Sequence, residues 1–392
     1  MNKLKISVVG VGAQGSSIAY LLAKEPEVSE IVCADINLDR ARQVVEELKS
    51  DKVYAERVDA GKIDELVKVS KGSDTVINAT HPKFNLNVMN AALKSGACYV
   101  DLASNVPCKI TVPKKLALDS EFKNAGLTAV INQGGPFTTQ VAVRYVADRL
   151  DRVDEIRMKN GIVFGIEEFI PAWRPVWCPD IALTEWIQPT VYENGKWKDV
   201  PPFSGLEEYL FPEPVGKATV CYVDFEPVQT LPRFIKGVKY VEVKQTPDRV
   251  AGILIKTGLA SDKPIEVKGV KVAPKDVLLA LIPPAAETRE HRPETERFFC
   301  SLAEIKGEKD NEKVTYIVYD TVFSSRNCLE KWGTVGAYVA LPAVITAIML
   351  AKGEIKTKGV IPPEGMDPEP FLAKLAEKGW FFTERITKEI HP

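Results

Sequence analysis

The loop Gly10-Val11-Gly12-Ala13-Gln14-Gly15 constrains this chain more than any other feature. It follows the apolar run Lys5–Val9 and opens an Ala/Leu-rich stretch ending near Lys24, so it lies where a strand turns into a helix. Asp35 stands twenty residues beyond Gly15, at the end of the next apolar run. Each glycine has its own physical task. Gly10 permits a tight turn, Gly12 lets a pyrophosphate approach the backbone, and Gly15 lets helix and strand pack closely. The helix N-terminus at Ala13 and Gln14 offers free N–H groups to phosphate. Asp35, with Ile36 beside it, is placed to accept hydrogen bonds from a ribose. The cofactor expected is NAD rather than NADP, because a carboxylate repels a 2′-phosphate by about 4 kcal/mol at ~4 Å and an effective dielectric of ~20.

The alternation continues. Strands are expected at 53–58, 75–79, 97–102 and 127–132, with helices at 38–49, 63–70, 84–94 and 113–123 between them. Such a rhythm predicts an α/β fold, a Rossmann-type doubly wound parallel sheet with right-handed crossovers. Ligands of these sheets bind beyond the carboxyl ends of the strands. That rule places Asp59 near adenine, and Asn78, Ala79, Thr80, Ala103 and Ser104 near the nicotinamide half. His81 follows the fourth strand and is a candidate acid/base, since an imidazole titrates in the useful range. Asp101, ending the fifth, either reaches the reacting centre or ties loop N–H groups together.

Beyond Gly134-Gly135-Pro136 the rhythm breaks, and a chain of 392 residues is too long for one core. Strand-like runs at 240–246, 249–259, 264–272, 298–308 and 313–323, joined by polar turns, suggest an antiparallel sheet in an α+β second domain over 135–331. The uncharged stretch 335–351 is interrupted by Pro342 and is shorter than the ~20 residues that span a bilayer, so it reads as a buried helix. A net charge of −2 gives no electrostatic argument for nucleic acid or a membrane surface. Seven dispersed cysteines without a CxxC pair, and three distant histidines, offer no metal site and suggest reduced thiols. With no secretory cleavage pattern at the start, the expectation is a cytoplasmic protein. Cys178 has no histidine near it in sequence and is discounted as a nucleophile.

The stretch NATHPKFNLNVMNAALKSGACYVDLAS (78–104) and the end TVGAYVALPAVITAIMLAKGEIKTKGVIPPE (334–364) resemble the saccharopine dehydrogenase family, with the middle of the chain closest in look to lysine 6-dehydrogenase-like members. The resemblance implies that 332–392 rejoins residues 1–134 as one nucleotide-binding domain. It also implies that the inserted 135–331 domain contacts substrate and forms a homodimer. The implied chemistry is hydride transfer at the CH–NH or CH–NH2 group of an amino acid or amine, through an iminium that water cleaves. Two alternatives stay open: a reductive condensing enzyme of the opine or carboxynorspermidine synthase type, and a dinucleotide-sensing protein without chemistry. The loop 132–137 and the segment Phe225–Leu231 take the places of substrate-facing loops in that family. Substrate contacts are therefore expected at Gln133, Gly134 and Thr138, with Arg174 as a carboxylate clamp and Trp177 as a pocket wall.

Overall fold

A computed structural model describes residues 3–164, Trp173, Pro175, 178–282 and 296–388. The first half is the expected doubly wound unit. Strands β1 (Leu4–Val9), β2 (Val28–Asp35), β3 (Val53–Arg57), β4 (Thr75–Asn78), β5 (Cys98–Asp101) and β6 (Thr128–Val130) alternate with helices α1 (Ala13–Lys24), α2 (Leu38–Leu48), α3 (Ile63–Ser70) and α4 (Asn85–Ser95). All pair in parallel, in the order β6-β5-β4-β1-β2-β3, and Gly359–Ile361 adds a seventh strand beside β6. Ile6, Val8, Ile31, Cys33, Ile77 and Val100 alternate into one face of this sheet, because successive strand residues point to opposite sides. That face is covered by α1 and by the apolar helix Ala337–Ala351. Among the described residues no single helix is long and apolar enough to cross a membrane. Ala337–Ala351 is instead buried along most of its length, and Thr75 Oγ1 donates to the Ala347 carbonyl at 3.1 Å.

Several expectations need correction. The helix read at 113–123 is two helices, α5 (Cys108–Leu116) and α6 (Asp119–Asn124). Pro113 lies inside α5 rather than starting a helix, and as its sixth residue it supplies no N–H to the preceding turn. The apolar run at 249–259 is not a strand. Asp248 accepts N–H bonds from Val250 and Ala251 at 2.9 and 3.0 Å, and this cap starts the helix Arg249–Lys256. Finally, residues 332–392 do not all rejoin the nucleotide sheet.

That last departure belongs to the second sheet. Helix α7 (Thr139–Ala147) leads out of the first domain into β7 (Arg152–Phe164), the centre of a ten-stranded sheet. Arg297–Lys309 pairs with β7 antiparallel, Glu312–Asp320 follows it, and Phe382–Lys388 forms the edge. On the other side Tyr240–Gln245 runs parallel to β7, so the sheet is mixed rather than antiparallel. The reason is the long excursion between these two strands, which gives the chain room to cross over and return in the same direction.

Candidate active site

The phosphate loop has the geometry its glycines require. Gly10 adopts φ +86°, and a Cβ there would stand 2.8 Å from the Thr80 nitrogen. A Cβ on Gly15 would lie 1.8 Å from the Gly10 carbonyl oxygen, whereas one on Gly12 would meet nothing within 4 Å. The loop is thus tight where it packs and open where a pyrophosphate would arrive, at the N-terminal end of α1. The Asp35 carboxylate accepts from the N–H groups of Val11 and Asn37, both at 2.9 Å, and Ile36 is exposed beside it. Arg40, the nearby cation, spends its Nε on the Val11 carbonyl at 3.3 Å. These residues fit a dinucleotide.

Asn78 organises the carboxyl ends of β4 and β5. Its Oδ1 accepts from the Thr80 N–H and hydroxyl at 3.1 and 2.6 Å, and its Nδ2 donates to Asn85 Oδ1 and Tyr99. Asn85 in turn donates to the Ala103 carbonyl at 2.8 Å. The residues expected around the nicotinamide, 78–80 and 103–104, are therefore brought together. Asp59 lies apart from them, accepting from the Gly61 N–H at 2.9 Å in the turn before α3.

Asp101 is almost fully buried. It pairs with Lys115 of α5 at 3.0 Å, accepts the Tyr99 hydroxyl at 2.9 Å, and accepts the Asn132 N–H at 2.7 Å. Lys115, only 2% exposed, also reaches Asn132 Oδ1, which accepts the Ser104 hydroxyl at 2.8 Å. With its oxygens committed in this way, Asp101 locks three loop ends in place. Next to it Gly134 approaches so closely that a Cβ would sit 2.6 Å from the Leu102 carbonyl oxygen. Gln133 and Thr138 are buried, and neither the Gln133 amide nor the Thr138 hydroxyl has a partner among the described residues. A buried polar group in that state invites a ligand or water. Arg174 and Trp177 lie outside the described residues.

The second domain contributes groups that no sequence motif singled out. Glu226, 2% exposed, precedes the helix Pro227–Phe234 and accepts the Ser104 N–H at 2.5 Å. Burial pushes its carboxyl up to about 7, against the pull of that N–H bond. Asp224 accepts the Cys108 N–H at 2.9 Å and is likewise pushed by burial to about 7. Two carboxyls of the second domain thus grip the loop that follows β5. A third buried acid, Glu364 of the returning segment, accepts from Gln140 of α7 at 2.6 Å and is also raised by burial to about 7.

His81 meets the second domain too. Its Nε2 lies 3.5 Å from Asp180 Oδ2, and the Cys178 thiol lies beside the same imidazole. Burial opposes the imidazolium, but Asp180 and Cys178 outweigh it and raise His81 to about 9. Asp180, held by His81 and by Lys275 at 3.0 Å, falls to about 2. In its neutral form the imidazole also caps the turn Pro82–Phe84, with Nδ1 accepting the Lys83 N–H at 3.1 Å; the imidazolium, protonated at both nitrogens, gives up that cap. Cys178, discounted from the sequence for want of a histidine, has one after all, supplied from 97 positions away by the packing of the two domains.

A doubly wound sheet, a glycine loop answered by an acid on the next strand, and a second domain gripping the carboxyl ends define a dinucleotide-binding oxidoreductase. The chain belongs to the saccharopine dehydrogenase family: residues 6–130 match the saccharopine dehydrogenase NADP binding domain and residues 140–380 the saccharopine dehydrogenase C-terminal domain. Carboxyaminopropylagmatine dehydrogenase of Synechocystis sp. is 28% identical over 388 residues, covering 96% of each chain. Carboxynorspermidine synthase of Vibrio cholerae is 25% identical, over 96% of this chain and 95% of its own. In fold, the chain superposes on saccharopine dehydrogenase (L-Glu forming) of Saccharomyces cerevisiae with a TM-score of 0.72 at 16% identity, covering 98% of this chain and 100% of that one. It superposes on homospermidine synthase of Legionella pneumophila, solved with NAD, with a TM-score of 0.67 at 12% identity, over 100% and 94%.

Proposed function

We propose that this protein makes and breaks the C–N bond of a carboxylated polyamine, in the direction of reductive condensation between a carboxyl-bearing aldehyde and an amine. The observation that carries this reading is the placement of two proton-carrying groups, His81 and Glu226, at the ends of the adjacent strands β4 and β5. Making a secondary amine from an aldehyde requires two proton movements, one off the attacking ammonium and one onto the departing hydroxyl. Glu226, poised near neutrality in a dry setting, takes the first; His81, held as an imidazolium by Asp180, gives the second. Two relatives that align over nearly the whole chain support the substrate class, since both of their names specify a carboxylated polyamine.

When bound, the dinucleotide supplies the hydride, and the protein supplies position and electrostatics. We take it to be NAD, because Asp35 presents a fixed carboxylate where a 2′-phosphate would have to sit. Gln133 and Thr138, buried without partners among the described residues, are groups available to hold the aldehyde's polar end.

The test is NADH consumption with a carboxyl-bearing aldehyde and a panel of diamines and agmatine. Turnover that needs both substrates is the expected result. Oxidation of a single amine by NAD, with no turnover of any aldehyde–amine pair, would overturn the condensing direction. Dinucleotide binding without turnover in either direction would overturn the enzymatic reading.

A further inference from the structure

Four adjacent strands of the second sheet change character at one level. Val243, Met158, Ala303 and Val318 stand abreast there, all buried and all apolar. Two residues away on each strand, where side chains return to the same face, stand Gln245, Asn160, Ser301 and Asp320. None of these four polar residues is more than 5% exposed. Gly161 fixes the direction of the row: it turns to the opposite face, where a Cβ on it would stand 2.8 Å from Phe211.

Buried polar side chains find partners as a rule. Those of Ser301 and Asp320 do. The Ser301 hydroxyl donates to the Pro136 carbonyl at 3.3 Å, and Asp320 accepts the Ser301 N–H at 2.8 Å and the Tyr338 hydroxyl at 3.1 Å. The row is thereby seated against the turn Gly135–Thr138, which follows Gly134 and its close approach to Leu102 at the end of β5. Asn160 differs, for its Oδ1 has no partner among the described residues. The strand is held there by backbone instead, the Asn160 carbonyl accepting the Thr246 N–H at 3.0 Å. One row further, about 6.7 Å along the strand, Ile162 and Phe299 pair across β7 and its neighbour, half-buried and apolar.

We propose that Asn160 positions the amine substrate: its Oδ1 accepts an N–H of the attacking nitrogen, and the carbon chain lies along Ile162 and Phe299. One hydrogen is held at Asn160, which leaves the lone pair, once Glu226 has taken a proton, free for the aldehyde carbon. The apolar row selects a nitrogen flanked by methylenes, because a carboxylate on the adjacent carbon would lose its water there without gaining a partner. The co-substrate is thus an aliphatic amine and not the α-amino group of an amino acid. This inference rests on the reading of an amine as substrate and holds for either direction of the reaction.

The experiment titrates agmatine, 1,3-diaminopropane and alanine into the full-length, NAD-loaded protein by calorimetry. Both amines should bind, and alanine at least tenfold more weakly. Asn160→Leu and Asn160→Ala should each weaken the amines at least tenfold while NAD affinity stays within twofold, and Asn160→Asp, which keeps an acceptor, should recover amine binding. A purely structural asparagine would behave differently. Replacing a buried, unpartnered acceptor by leucine leaves the thermal midpoint of the free protein unchanged or raised, whereas loss of a structural contact lowers it. Unchanged amine affinity in Asn160→Leu, or parallel losses of amine and NAD affinity with a lowered midpoint, would overturn the proposal, as would alanine bound as tightly as the amines. A wild type that binds neither amine would overturn both this subsite and the amine reading. Amine binding that depends on Asn160 in a protein that turns over without any aldehyde would overturn the condensing direction alone.

Discussion

Both oxygens of Asp35 are tied to backbone N–H groups, so its charge stands in one place at the end of β2. Replacing Asp35 with Ser and Ile36 with Arg removes that charge and offers a cation to a 2′-phosphate. The double variant should bind NADP at least tenfold more tightly than the wild type and NAD more weakly, as titration of protein fluorescence would measure. Equal NAD and NADP affinities in the wild type would contradict the assignment. His81 allows a sharper statement. His81→Asn should lower turnover by 10²–10⁴, the usual worth of an acid/base group, with dinucleotide affinity little changed. The wild-type rate profile should carry a limb at about pH 9, where the imidazolium loses its proton, and the variant should lack it. A limb at the same pH in His81→Asn would assign the titration to another group.

At the scale of elements, the Asp101–Lys115 pair ties β5 to α5 and, through Asn132, to the end of β6. Removing one partner of a buried pair strands the other charge, at a cost of about 3–5 kcal/mol. Lys115→Met should therefore destabilise by that much in denaturant melts, and adding Asp101→Asn should recover part of the loss. Additive losses in the double variant would show that the two side chains act independently. The elements themselves were readable to different degrees. Strands β1–β6 follow from apolar runs punctuated by glycine, and the phosphate loop follows from its spacing to Asp35. Arg249–Lys256 did not, because Val250, Ala251, Ile253, Leu254 and Ile255 form a nearly unbroken apolar run, rich in β-branched residues, that also suits a strand, and Asp248 marks the helix start. The site was legible on its nucleotide side only. Segment Phe225–Leu231 was placed toward the substrate, yet nothing local in it distinguishes Glu226 as a buried acid. The contacts of Glu226 with Ser104, and of Cys178 with His81, join residues more than ninety positions apart and exist only once the domains have packed.

For the whole molecule, the buried acids set a direction. Asp224, Glu226 and Glu364 are raised by burial to about 7 and Asp320 to about 8, so the folded chain binds more protons than the unfolded one between roughly pH 4 and 8. For a raised carboxyl the stabilisation is greatest at the acid end and is lost as pH rises through the folded value. The raised His81 acts in the same sense, losing its contribution as pH climbs through about 9. Asp180, lowered to about 2, opposes them only in strong acid. The thermal midpoint should therefore be higher near pH 6 than at pH 9 by calorimetry, and a midpoint that climbs over that interval would contradict the burial of these groups. The strand Phe382–Lys388 has a consequence of a mechanical kind. The chain passes from the nucleotide sheet to the second sheet through α7, returns to lay down Gly359–Ile361, and crosses once more to finish the second sheet's edge. Two bodies laced by three separate passages of backbone are restrained in how they can swing. The second body also cannot be cut out, transplanted or exchanged between relatives as the single stretch 135–331, because such a graft would leave the flank of Glu312–Asp320 without its neighbouring strand.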